Sequence, residues 1–205
     1  LQQSSAASDV YKRQFVASAT SVVNCGAKPV FADVDLSSGN LSSKTIIRKI
    51  TKKTKAIICV HLGGLPCEMD EILKLAKKFN LYVIEDCAQA HGAFYKNKSV
   101  GSIGHIGAWS FCQDKIITTG GEGGMITTND KKLWQKMWAF KDHGKNYHSV
   151  FKKKHPPGFR WLHDSFGTNF RMTEVQSAIG RYQLRKLKSW NKIRRRNASI
   201  IQNLS

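Results

Sequence analysis

An acid and an amine in this chain could hold opposite ends of a flat aromatic aldehyde. Asp86 follows Glu85 directly after an apolar run at residues 81–84. Lys115 comes 29 positions later, just past a second apolar run at 108–111 that contains Ser110, and a glycine-dense turn, GGEGG at 120–124, comes next. In α/β sheets ligands bind beyond the carboxyl ends of strands. Asp86 occupies one such end, and Lys115 lies shortly past another. A lysine so placed can form an imine with a carbonyl-bearing cofactor and afterwards carry protons. A carboxylate can keep a pyridine nitrogen protonated so that the ring absorbs electrons, and hydroxyls, amides or a helix amino terminus can hold a phosphate. Those are the demands of pyridoxal 5'-phosphate. On spacing alone, however, an Asp–Lys pair is more often a surface ion pair, and a glycine-rich turn can be no more than a tight connection.

Glu85 is the rival carboxylate, but alternation along a strand turns it to the face opposite Asp86. His61, His91, His105 and His143 sit beside glycine or in turns. No two of them have zinc-motif spacing, so they read as turn or site-lining residues, and no metal is expected. A serine-hydrolase GxSxG is absent. The five cysteines are scattered without a CxxC pair, which fits a reducing, cytoplasmic setting, and Cys59 and Cys87 read as small core residues of strands.

The elements that must position these residues read as an alternation of strands and helices. Residues 18–24 are helical or turn-rich, 29–34 a short strand, 37–40 a turn, and 43–50 a short helix. Residues 55–60, KAIICV, form a continuous apolar run rich in β-branched side chains, which predicts a strand buried on both faces. Residues 69–79 read as a helix, with Asp70 and Glu71 in the first turn, Lys77 and Lys78 in the last, and Ile72, Leu75, Ala76 and Phe79 on one side. The strand at 81–84 completes a βαβ unit. Residues 125–128 are a further strand and 130–141 a helix whose Leu133, Trp134, Met137 and Trp138 read as core. Residues 142–166 read as a long loop. Thr173 and Gln176 have capping-box spacing, so a helix starts there, with Val175, Ile179 and Tyr182 as its apolar stripe and Ala178, Leu187 and Trp190 near it. Residues 1–14 match nothing that follows and read as a non-native or disordered leader.

At 205 residues the chain can bury one substantial core, and no apolar run approaches the ~20 residues needed to span a bilayer. Its formal charge of +19, from 33 basic and 14 acidic residues, suits either a nucleic-acid partner or an enzyme of anionic substrates such as nucleotide conjugates. The basic run from Arg181 to Arg196 reads as a solvated helix face, since no base-stacking aromatics or DNA-reading motif accompany it.

The words AIICVHLGG, VIEDCAQAHGA, GAWSFCQDKIITTGGEGGMITT and NFRMTEVQSAIGRYQL together resemble the DegT/DnrJ/EryC1/StrS sugar aminotransferases, over roughly residues 15–187. The resemblance implies an α/β fold: a three-layer α/β/α arrangement with a mostly parallel sheet, the large domain of a fold-type I pyridoxal-phosphate transferase, truncated at both ends. Residues 15–190 would be that incomplete domain and 191–205 a basic helical segment leading to a small domain. Lys115 resembles the Schiff-base lysine, Asp86 the partner of the pyridine nitrogen, Gln89 the side chain lying against the cofactor ring, and Ser110 the phosphate-binding serine. Phe15 falls where the family has an aromatic stacked on the ring. Asn169 resembles the asparagine that reaches the phosphate of the other subunit's cofactor, which implies a homodimer with shared sites. The implied activity moves an amino group from glutamate or glutamine to a keto group of a nucleotide-linked sugar, for surface polysaccharide or secondary metabolites. A keto-cyclitol substrate is the alternative within this class, and a basic nucleic-acid-binding regulatory protein the alternative outside it. Because Lys115 is present, transamination rather than dehydration is the implied branch. Relatives are about twice as long, so activity is not expected of this stretch alone.

Overall fold

The computed structural model describes residues 2–4, 16–158 and 163–203, with only the backbone of 2–4 described. A six-stranded sheet forms the centre. Its strands are β1 (Gln2–Ser4), β2 (Val30–Ala32), β3 (Ala56–Val60), β4 (Tyr82–Asp86), β7 (Ile106–Ser110) and β8 (Gly124–Thr127), in the spatial order β2-β1-β3-β4-β7-β8. All neighbours run parallel except β7 and β8. A separate hairpin joins β5 (Phe94–Tyr95) to β6 (Lys98–Ser99). The helices are α1 (Ala17–Asn24), α2 (Ser43–Ile46), α3 (Met69–Lys78), α4 (Lys131–Lys141), α5 (Tyr147–Phe151) and α6 (Glu174–Gln202).

The βαβ unit β3-α3-β4 is the heart of the core, as the apolar patterning predicts. Every residue of β3 is buried. On one face of the sheet Ile57, Cys59 and Val83 pack against Met69, Ile72, Leu75 and Ala76 of α3. Each such aliphatic side chain contributes about 1.5–3 kcal/mol on leaving water. Asp70 and Glu71 open α3 and Lys77 and Lys78 close it, complementing its dipole.

Four expectations differ from what is observed. The backbone of Gln2–Ser4, set aside with residues 1–14, pairs between β2 and β3; main-chain pairing needs no side-chain pattern. The stretch 142–166 is not all loop, because Asn146 caps the short helix α5 by accepting from the Ser149 amide at 3.1 Å. The aromatics of α4 are half-buried rather than core: Trp134 and Trp138 meet Tyr147 of α5 edge-on at 4.8 and 5.1 Å between centroids. Finally, α6 carries the expected capping box of Thr173 and Gln176, but its docking face is rotated. Val175 and Tyr182 are exposed, whereas Gln176, Ile179, Gln183, Leu187 and Asn191 face the body. Ile179 and Leu187 dock as apolar residues, but the rest of this contact is made by amide side chains against loop backbone, which apolar periodicity does not report. α6 also passes residue 190 without a break.

Candidate active site

β4 ends in two consecutive acids whose side chains leave opposite faces of the sheet. Asp86 is level with Ala108 of the adjacent parallel strand β7, and Ser110 lies two residues further along β7 on the same face. Asp86 and Ser110 therefore stand side by side in the chain topology, at the carboxyl ends of neighbouring strands. The Asp86 carboxylate is half-buried and held at both oxygens. Ser18 of α1 donates its hydroxyl to Oδ2 at 2.7 Å, and the Ala88 amide donates to Oδ1 at 3.1 Å. An ionised carboxylate has about four acceptor positions, so roughly two remain for a ligand.

Ser110 Oγ accepts from the Cys112 amide at 3.3 Å, bending the chain out of β7. Lys115 follows in that turn, its amide donating to the Cys112 carbonyl at 3.1 Å. Its side chain is only 17% exposed, and Nζ lies 3.3 Å from an Asp114 oxygen. Gln89 sits in the loop after β4, with Oε1 accepting from the Gly63 amide at 2.8 Å; this ties the β4 loop to the one after β3. Asn169 is exposed and pairs as a backbone bridge with Asp142. Asp142 in turn holds Arg171 and, at 3.1 Å, Lys145. Phe15 lies outside the described residues.

The loop bearing Lys115 and the glycine turn is clamped by α6. Gln183 Oε1 accepts from the Thr118 amide at 2.7 Å, and Gln176 Nε2 donates to the Glu122 carbonyl at 2.7 Å. Gly120 has φ +81°, and a Cβ there would come within 2.9 Å of Ile179 on α6. The turn thus needs glycine both for its backbone and for the helix's approach.

Behind the site, Glu85 is fully buried on the α3 face. It accepts from the amides of Gly101, Ile103 and Gly104 at 2.8, 2.8 and 2.6 Å, and from His61 Nε2 at 3.0 Å. Gly101 adopts φ +77° with Trp109 against it, where a Cβ would meet the indole at 2.5 Å. Burial pushes the Glu85 carboxyl up, but the hydrogen bonds from His61 and the Gly104, Gly101 and Ile103 amides outweigh it and hold it below its ordinary value. His61 Nδ1 accepts from the Cys67 amide at 3.1 Å. Burial weighs against a second proton on this ring, and Cys67, Cys87 and Glu85 weigh for one. The Cys67 amide, aimed at Nδ1, decides for the neutral ring with its proton on Nε2.

His61 heads the turn 61–64, its carbonyl accepting from the Gly64 amide at 3.2 Å, yet its ring is a fully buried core group, and His91, in the turn after β4, is buried as well. The spacing beside glycine places both at turns but does not report their burial; pairing with an acid at the end of the next strand is a tertiary fact. His91 packs on Trp109 and Phe111 at 5.3 and 5.9 Å, and neither ring nitrogen has a hydrogen-bond partner among the described residues. His61, Glu85 and Cys87 bring ligand-type atoms within 4.8 Å of one another, but the ring nitrogens and carboxylate oxygens are already committed to the bonds above. An open cavity of about 590 Å³, lined by His105, Asn129 and Lys131 among others, lies at the opposite end of β7 from Ser110. Among the described residues no helix is long and apolar enough to cross a membrane.

A mostly parallel sheet with helices against it and polar side chains gathered at its carboxyl edge defines an α/β protein with a strand-end ligand site. Residues 10–204 match the DegT/DnrJ/EryC1/StrS aminotransferase family, and the chain belongs to it. The solved aminotransferase from Psychrobacter cryohalolentis is 61% identical with a TM-score of 0.91, over 97% of this chain and 48% of that one. The GDP-perosamine synthase of Escherichia coli O157:H7 is 45% identical over 91% of this chain and 48% of its own length. The dTDP-3-amino-3,6-dideoxy-alpha-D-galactopyranose transaminase of Aneurinibacillus thermoaerophilus is 40% identical over 90% of this chain and 48% of its own length. The chain spans about half the length of the curated relatives it matches.

Proposed function

We propose that the protein to which this chain belongs is a pyridoxal-phosphate-dependent aminotransferase acting on a keto group of a nucleotide-linked sugar. One observation carries the reading: Asp86 and Ser110 share a face at the ends of adjacent strands, and the chain bearing Lys115 turns directly out of the second. Family membership and relatives named for GDP- and dTDP-linked sugars support it.

The donor set fits that cofactor. Asp86 retains acceptor capacity for a protonated ring nitrogen, Ser110 offers a hydroxyl to the phosphate, and Gln89 flanks the ring. Lys115 supplies the amine that anchors the carbonyl. The bound cofactor supplies an electron sink for the carbon that loses its proton. Asp86 keeps the nitrogen's proton in place, and Lys115 Nζ, low in exposure, takes and returns the proton at that carbon. The basic surface, +19 overall, suits a nucleoside diphosphate. The donor is glutamate or glutamine in this reading, and the active form a homodimer in which Asn169, exposed and held beside the Asp142–Arg171 pair, serves the partner's phosphate.

In the full-length protein loaded with pyridoxal phosphate, borohydride should attach the cofactor to the peptide containing Lys115, and Lys115→Ala should abolish the attachment. Attachment to another peptide, or equal retention in both proteins, would remove Lys115 from this role.

A further inference from the structure

We propose that Ser18 is a positioning residue that sets the orientation of the Asp86 carboxylate toward a cofactor's ring nitrogen. This rests on the cofactor reading above. The hydroxyl-bearing side chains of α1 behave differently from one another. Thr20 donates to the Val16 carbonyl at 3.1 Å and Ser21 to the Ser18 carbonyl at 2.8 Å. Hydroxyls on helices commonly bond back in this way. Ser18 instead reaches 68 residues along the chain to Asp86 Oδ2, at 2.7 Å.

The bond completes a two-sided grip. The Ala88 amide holds Oδ1 and comes from the strand's own exit, so it moves with Asp86. The Ser18 hydroxyl comes from a different element and resists rotation about the terminal side-chain torsion, which is otherwise broad for aspartate. With both donors in place the carboxylate plane is set, and its remaining acceptor positions point in defined directions. Hydrogen bonds to charged acceptors are the stronger and shorter kind, which suits a residue that must stay aimed while protons move nearby.

A merely structural bond, pinning α1 to β4, would not discriminate between ligands that do and do not carry a ring nitrogen. The experiment uses apoprotein of the full chain and two probes, pyridoxal phosphate and its analogue with carbon in place of the ring nitrogen, with dissociation constants read by fluorescence. Ser18→Ala should weaken pyridoxal phosphate binding by about tenfold, the size of one charge-assisted hydrogen bond, and leave the nitrogen-free analogue within about twofold. Ser18→Thr, which keeps the hydroxyl, should restore wild-type binding. Ser18→Cys, close in volume and a weaker donor, should fall between and serves if the alanine variant does not fold. Equal weakening of both probes, or no weakening of either, overturns the role of Ser18 while wild-type binding keeps the cofactor reading intact. Failure of wild-type protein to bind pyridoxal phosphate overturns both.

Discussion

Glu85 and Asp86 are consecutive in β4 and have opposite surroundings. Glu85 is sealed beneath three backbone amides and His61, whereas Asp86 stands half-exposed at the ligand edge with acceptor positions to spare. The first carboxylate shapes the loop at 101–104 that lies under β7, and the second faces the proposed cofactor site. The two should respond to the same isosteric change in different ways.

Glu85→Gln puts an amide group among donors that need acceptors. It should cost about 2–3 kcal/mol of stability, because buried donors lose a charged acceptor, whereas Asp86→Asn should cost under about 1 kcal/mol. Urea unfolding of the full-length protein measures both. Asp86→Asn should in turn lose pyridoxal phosphate on dialysis, while wild-type protein retains it. Similar unfolding midpoints for the two variants would mean that Glu85 is not the buried anchor described above.

Stability should also fall in two acid steps. Burial pushes the His91 imidazole below its ordinary value of 6.5, with the nearby Lys115 charge adding to the effect. The unfolded chain therefore takes up a proton first, and folding free energy declines as pH drops below 6.5 toward the lower folded value. Glu85, held below 4.5, contributes stability that is present above 4.5 and lost as pH falls through its folded value. Replacing His91 with Phe should flatten only the first step, read from unfolding midpoints between pH 7 and 5. An unchanged slope there would exclude His91 as its source.

At Gly120, alanine would need the left-handed backbone and would press on Ile179. Gly120→Ala should destabilise by about 1–3 kcal/mol and should loosen the turn around Lys115, seen as faster amide exchange at Thr118. Slow, wild-type-like exchange at Thr118 would show that α6 does not clamp this turn.

The α4–α5 contact predicts an optical signature. Tyr147→Ala removes the ring packed on both Trp134 and Trp138 and should shift tryptophan emission to longer wavelength as the indoles gain water. The midpoint of global unfolding should move by less than about 1–2 kcal/mol, because neither helix contributes a buried core residue beyond Ser149. An emission spectrum identical to wild type would contradict the packing.

Local patterning by itself determined the βαβ centre of this protein. KAIICV had to be a strand buried on both sides, the helix after it carried its charges at the correct ends, and alternation alone separated Glu85 from Asp86. Position at strand ends picked out Asp86 and Lys115, and the resemblance added Gln89, Ser110, Asn169 and Phe15. Tertiary structure decided what lies between elements distant in sequence. Ser18 meets Asp86, His61 meets Glu85, and α6 docks through Gln176, Gln183 and Asn191 beside Ile179, while Val175 and Tyr182 of its apolar stripe face water. Periodicity reports which side chains avoid water. It carries no information on which buried polar group satisfies which, because that depends on the chain's return to a given point in space.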